Sequence, residues 1–112
     1  MSLAIRLQAD PVRSLAFGSI SGVYAGIGTS IDKPARMVLL QNLTDALLMI
    51  SMDGVNDHIP IATNGYIILD ITANKTIDTG FFIAEGQRFY VRDEGAAATL
   101  GSAYVSVFYG SE

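Results

Sequence analysis

The sequence has no cysteine and no tryptophan, one histidine, His58, and three prolines in 112 residues. Without cysteine there is no disulfide framework, no thiolate nucleophile and no cysteine-held metal. A zinc site would have to be built around His58 alone, which excludes the usual sets of four histidine and cysteine ligands. Charge is scarce as well: Asp, Glu, Lys and Arg make up 16% of the chain, against roughly 25% in an ordinary soluble domain. The net charge is −4, and the seven basic residues, Arg6, Arg13, Lys33, Arg36, Lys75, Arg88 and Arg92, are spread without a cluster. Phosphate affinity needs several cations on one face, so nucleic acid is not an expected partner. The longest apolar runs are about five residues, far short of the ~18 of a membrane span, and residues 1–6 show neither the basic nor the apolar region of a signal peptide. The expectation is a soluble chain made in the cytoplasm, with no membrane contact.

What is present is apolar sequence cut up by turn chemistry. Half of the residues are apolar, and the length suits one domain of the common ~100–150 residues. With few charges to cover a small domain, some apolar or weakly polar surface is expected to stay exposed as a candidate interface. The organising stretch is Arg36 to Thr72. There Met37–Leu40 stops at Gln41-Asn42-Leu43-Thr44-Asp45, Ala46–Met52 stops at Asp53-Gly54, and Tyr66–Ile71 follows Asn64-Gly65. Short polar side chains compete with a ladder by bonding their own backbone, and Asp-Gly and Asn-Gly take positive φ readily, so three strands joined by turns are expected.

Around that stretch, Leu3, Ile5 and Leu7 alternate along an opening strand that ends at Asp10-Pro11. Val12–Ile20 reads as a strand disturbed at Gly18, with a short helix as the competing reading. Gly22-Val23-Tyr24-Ala25-Gly26-Ile27-Gly28 lacks the lysine and hydroxyl of a phosphate loop. Val23–Ile31 reads instead as a strand whose small residues let another backbone approach. Ile77–Ala84 and Arg88–Arg92 form the arms of a hairpin turning at Glu85-Gly86-Gln87. In the second arm Phe89 and Val91 face one way, and Arg88, Tyr90 and Arg92 the other. Asp93–Leu100 reads as a loop. The last strand, Ala103–Tyr109, is bulky on both faces, so it is either sandwiched within the fold or covered by a partner chain. Eight or nine short strands at this spacing predict an all-β fold, an antiparallel sandwich or barrel; a jelly-roll-like sandwich is the expectation, although strand order is not read from periodicity. Residues 1–10 would be an N-terminal arm or edge strand and residues 11–112 a single domain.

Residues able to do chemistry are few. Asp53, Asn56 and Asp57 beside His58 are the best oxygen-ligand candidates for a cation, but their spacing is not that of an EF-hand and the same residues suit an ordinary turn. No resident metal or cofactor is expected. A Ser-His-acid set would need His58, and no serine stands in a Gly-x-Ser-x-Gly elbow. Carboxylate pairs for glycoside cleavage can be drawn from Asp53, Asp57, Asp70, Asp78, Glu85, Asp93 and Glu94, as in any acidic β-protein. Asp70, inside an apolar segment, is expected to be partly buried and bonded to the turn at Asn74 or Lys75. Tyr24, Tyr66, Tyr90, Tyr104 and Tyr109 could together form an aromatic contact surface. These patterns point away from an enzyme.

The phrases Gln41-Asn42-Leu43-Thr44, Ser51-Met52-Asp53-Gly54, Leu69-Asp70-Ile71-Thr72-Ala73-Asn74-Lys75 and Tyr104-Val105-Ser106-Val107-Phe108-Tyr109-Gly110 resemble small structural proteins of tailed-bacteriophage virions. The resemblance spans most of the chain and carries no motif tied to a chemical step. It implies a non-enzymatic β-domain present in many copies on a particle, as a head decoration or cement protein or as part of the neck, collar or tail. It also implies a virion location, self-association into a homo-oligomer such as a trimer, and docking on major capsid, neck or tail proteins. The interface is expected at the last strand, on Tyr104, Phe108 and Tyr109. The rival expectation is a carbohydrate or host-receptor binding module of a fibre or tail, using exposed tyrosines and loop acids.

Overall fold

Strands whose side chains alternate in and out need a second layer to cover the inward set, and this chain supplies it by rolling one long hairpin onto itself. The computed structural model describes residues 6–33, 35–70, 83 and 86–111. In chain order these form β1 (Arg6–Ala9), β2 (Arg13–Ala16), a 3-10 turn (Phe17–Ser19), β3 (Ala25–Gly26), β4 (Ala35–Asn42), β5 (Leu48–Ser51), β6 (Ile59–Ile61), β7 (Tyr66–Asp70), β8 (Tyr90–Asp93) and β9 (Ser102–Ser111). Sheet A runs β1-β9-β4-β7 with β2 also on β9, and sheet B runs β3-β8-β5-β6. All pairings are antiparallel.

β1 and β2 lie end to end along one side of β9 and count as one rung. The pairings then nest: β1 and β2 with β9, β3 with β8, β4 with β7, β5 with β6. Rolling that ladder brings β9 onto β4 and β8 onto β5. This order is the jelly roll; the spacing of short strands predicts the all-β sandwich, and the strand order comes from the pairings. Within the first rung, Arg6–Ala9 oppose Ser111–Phe108 and Arg13–Ala16 oppose Val105–Ser102, so Asp10, Pro11 and Val12 face only Val107 and Ser106. The extra residue is a bulge at Pro11, which has no N–H for a ladder. β1 is thus an edge strand of sheet A.

The core lies between the sheets. Val38 and Leu40 of β4 and Val105 and Val107 of β9 meet Leu48 and Ile50 of β5, Ile61 of β6 and Val91 of β8, with Ile20, Ile27 and Ile31 closing in from the connections. Each such side chain contributes roughly 1.5–3 kcal/mol by leaving water. At one end, buried Asn42 ties the layers together. Its Nδ2 donates to the carbonyls of Ala46 and Ile61, both at 2.8 Å, while its Oδ1 accepts the Thr44 N–H at 3.0 Å and hydroxyl at 2.6 Å. Gly101, at φ +86, opens β9 beside this point, and a Cβ there would stand 1.9 Å from the Leu43 carbonyl oxygen. Only glycine fits.

Several expectations are corrected. β3 covers Ala25 and Gly26 rather than Val23–Ile31. Gly28 at φ +64 turns the chain out of the ladder, leaving single bonds from Ile27 N–H to Phe89 and from Ile31 N–H to Gln87. Val12–Ile20 divides into a strand and a 3-10 turn. β6 has no counterpart in the sequence reading, because Pro60 argues against a strand; it is admitted at the edge of sheet B. The β5–β6 connection takes residues 52–58, not the Asp53-Gly54 pair alone, although Gly54 has the expected positive φ of 78°. At Asn64-Gly65 the positive φ, 61°, falls on the asparagine, and the turn carries the chain from sheet B to sheet A. Asp70 is exposed, since period two sends Ile67 and Leu69 inward and Tyr66, Ile68 and Asp70 outward. Asp93, placed in a loop, ends β8 and is buried. The strand expected over Ile77–Ala84 lies outside the described residues except for Ile83, whose backbone pairs with Ala35. The opening strand from Leu3 is described from Arg6 on, and Asn74, Lys75, Asp78 and Glu85 also lie outside.

Candidate functional site

Each sheet has an outer face, and the two differ in chemistry. On sheet A the register lays the outward side chains in three rows across the strands. One row is Ser14, Tyr104, Gln41, Tyr66; the next is Ser106, Leu39, Ile68; the third is Ala9, Phe108, Met37, Asp70. Asp70 at the margin is the one charge in these rows. Tyr66 and Ile68 are exposed, Tyr104, Phe108, Met37 and Leu39 are half-buried, and Leu7 and Val12 add exposed apolar surface beside β9. Sequence reasoning names Tyr104 and Phe108, and the fold brings them onto this face. It does not bring Tyr109, which has the opposite parity: it pairs with Gln8 and Ala35, and Lys33 Nζ stands 4.9 Å from its ring centre. Tyr66, named with the other tyrosines as a possible contact surface, joins Tyr104 here, and the partners that sequence reasoning missed are Met37, Leu39 and Ile68. Their signal is apolar side chains on both parities of a strand, the same signal used for the last strand but not applied to these two.

Sheet B presents a polar outer face, and the 52–58 loop lies across it. Tyr90 and Arg92 point outward from β8 beside Ser51 and Met49 of β5. Ser51 is nonetheless buried, because the loop folds back over it. Its hydroxyl donates to Asp53 Oδ1 at 2.9 Å and accepts the Gly54 N–H at 2.9 Å. Asp53 also accepts the N–H groups of Val55 and Asn56 at 2.8 Å and the Asn56 side-chain amide at 2.9 Å. The Asn56 and Val55 amides and the two side-chain donors hold its carboxyl far below the usual range. Four residues on, Asp57 meets Arg92, whose Nη2 bonds Asp57 Oδ2 at 2.8 Å and Glu94 Oε2 at 2.9 Å. The Tyr24 hydroxyl also donates to Asp57, and the Arg92 guanidinium lies 5.5 Å from the Tyr24 ring centre. Arg92 and then Tyr24 lower the Asp57 pKa; burial, followed by the Asp57 bond, raises that of Tyr24. Arg92 is raised, chiefly by Asp57.

These contacts account for the candidate ligands and catalytic groups one by one. Asp53 and Asn56 are turned onto their own loop, and Asp57 onto Arg92, so the three do not converge on a common point. No group of three or more His, Asp and Glu suited to a metal occurs among the described residues. His58 Nδ1 accepts the Met52 N–H at 3.0 Å, and the Ser51 hydroxyl is spent on Asp53. The nearby acids Asp57 and Glu94 are bridged by Arg92, which lowers the Asp57 pKa, whereas a general acid for glycoside cleavage needs its proton held. The five tyrosines are divided: Tyr66 and Tyr104 on sheet A, Tyr24 and Tyr90 on sheet B, Tyr109 beneath Lys33. The face of sheet A, the broadest apolar surface among the described residues, is the candidate site. No protein-family model, curated protein or solved structure matches the chain.

Proposed function

We propose that the chain is a non-enzymatic structural subunit of a phage virion, a jelly roll that self-associates into a homo-oligomer and decorates or stabilises the capsid or builds the neck or tail. The observation that carries this reading is the outer face of sheet A: rows of Tyr104, Phe108, Met37, Leu39, Ile68 and Tyr66 with a single charge at the margin. Contiguous apolar surface on a small domain marks an interaction site. The fold itself is shared by viral capsid domains, lectins and cupins and does not choose among them. Against the sugar or receptor-binding reading stand the dispersal of the tyrosines and the engagement of Asp53 within its own loop and of Asp57 by Arg92 and Tyr24.

The test is the mass of the purified chain by light scattering. A discrete multimer of the 11.9 kDa chain is expected, together with co-sedimentation with phage head or tail particles that lack it. Phe108→Asp should reduce the mass to that of one chain while the β-sheet circular dichroism persists. A wild-type chain that stays single and binds no particle would overturn the reading.

A further inference from the structure

Among the described residues, the exposed apolar side chains of sheet A share one flat surface, and those elsewhere are scattered. The alternation of β4 runs one step past its end. Asn42 is buried and Leu43 exposed, and the Leu43 N–H donates to the Ser102 carbonyl at 3.0 Å, so Leu43 adds an outward row to the three already described. From Leu43 through Tyr104, Leu39 and Ile68 these rows hold no charge before Asp70 at the margin, which keeps the interaction it already has. Off this face, Leu47 and Leu100 stand beside acidic residues: the Leu47 carbonyl accepts the Glu94 N–H at 3.1 Å, and Asp45 accepts the Leu100 N–H at 3.3 Å. Phe17 and Val23 lie on the β2–β3 connection and Val55 on the 52–58 loop.

The charge pattern restricts what can cover the face. A charge pressed against an apolar surface loses its water and gains no partner. Sheet B of a neighbouring copy would bring Arg92, Asp57, Glu94 and Arg88 into the contact and dehydrate them. Sheet A brings none of these, so the surface on this chain that matches the face is the face itself. Its size is sufficient. β4 and β9, eight and ten residues long, run about 27–33 Å, and four strands span about 19 Å, a plane of roughly 500–600 Å² before side-chain relief. A biological interface needs about 500 Å² per partner or more.

We propose that the outer face of sheet A packs on the same face of a second copy of this chain, sheet on sheet, about a two-fold axis between them. The proposal rests on the self-assembly reading above and gives that assembly its partner surface and symmetry. Facing sheets pack about 10 Å apart with strand directions within about 30°. Tyr66 and Ile68, 63% and 52% exposed in the single chain, leave water in the contact. No backbone edge takes part, and both sheets B face outward. Because each copy offers the same patch, the contact is isologous and closes at two chains. A ring of three would need the face to meet a different surface. The multimer therefore contains an even number of chains.

Light scattering should give two chains, or another even number. The chain lacks cysteine, so Val55→Cys, 78% exposed on the loop across sheet B, takes a single spin label. Four stacked sheets put the two sheets B of a dimer about 30 Å apart, and the labels should be separated by at least that distance. Ile68→Lys, at a half-exposed position, sets like charges in the contact and should halve the mass of a dimer, or split a larger multimer, with the thermal transition retained. Met49→Lys, on the outer face of sheet B, should keep the wild-type mass. An odd number of chains, a Val55 separation in a dimer shorter than the sheet spacing, or a wild-type mass in Ile68→Lys overturns the face-to-face contact and leaves the self-assembly reading standing. A wild type that stays single overturns the contact, and the self-assembly reading falls with it if the chain also binds no particle.

Discussion

Asn42 and Asp53 look alike in the sequence, each a short polar residue at the end of an apolar segment, and they do opposite jobs. The Asn42 side chain is buried with four hydrogen bonds, two given and two received. Asn42→Asp keeps the shape but loses both donors and sets a carboxylate against the Ala46 and Ile61 carbonyls, so it should cost about 3 kcal/mol or more. Urea denaturation measures this, and a loss of a few tenths would mean the residue is not holding the layers. Asp53 is exposed and acts through its charge. Its folded pKa lies below the unfolded value, first through the Asn56 amide, so its contribution is complete above ~4 and is lost as pH falls from there through the folded value. Asp57, through Arg92, and Asp45, through Thr99, shift in the same direction. The urea midpoint should therefore drop below about pH 4, with a shallower drop in Asp53→Asn. Equal slopes in the two proteins would remove Asp53 from the account.

Among the elements, the 52–58 loop is closed on itself by the Met52 N–H on His58 Nδ1 and tied to sheet B by Ser51 on Asp53 and Gly54 and by Arg92 on Asp57. Of its two large apolar side chains, Met52 packs on the core and Val55 is exposed, so residues 53–57 should open locally without global unfolding. Arg92→Ala is expected to speed amide exchange at Val55 and Asn56 while the amides of Val38 and Val105 keep their protection. Uniform acceleration would instead mean that Arg92 supports the whole sandwich. At this scale the alternation of β8 and β9 is plain in the sequence, because period two is a property of neighbours along the chain. β6 and the short β3 are not, because an edge position and a glycine at positive φ override local propensity. The outward faces of β4 and β7 are likewise hidden: an apolar residue of either parity looks like core until its sheet is known.

For the whole molecule, the balance of forces in assembly follows from composition. With 16% charged residues and one charge in the rows across sheet A, contact between copies should rest on apolar burial. Raising sodium chloride should leave the multimer intact and sulfate should strengthen it, whereas dissociation by salt would point to charged contacts. Sedimentation at several salt concentrations decides the matter. By itself the sequence determined that the chain is all-β, that its strands alternate, and that it lacks the cysteine and histidine sets of common metal and nucleophile chemistry; these are local or compositional properties. The tertiary structure alone decided the rest. β4 and β5, a few residues apart, lie in different sheets, and β1 and β9, at opposite ends, pair. Strand pairing is non-local, so only the rolled hairpin determines which strands become edges, which apolar face stays open and which acids are already engaged.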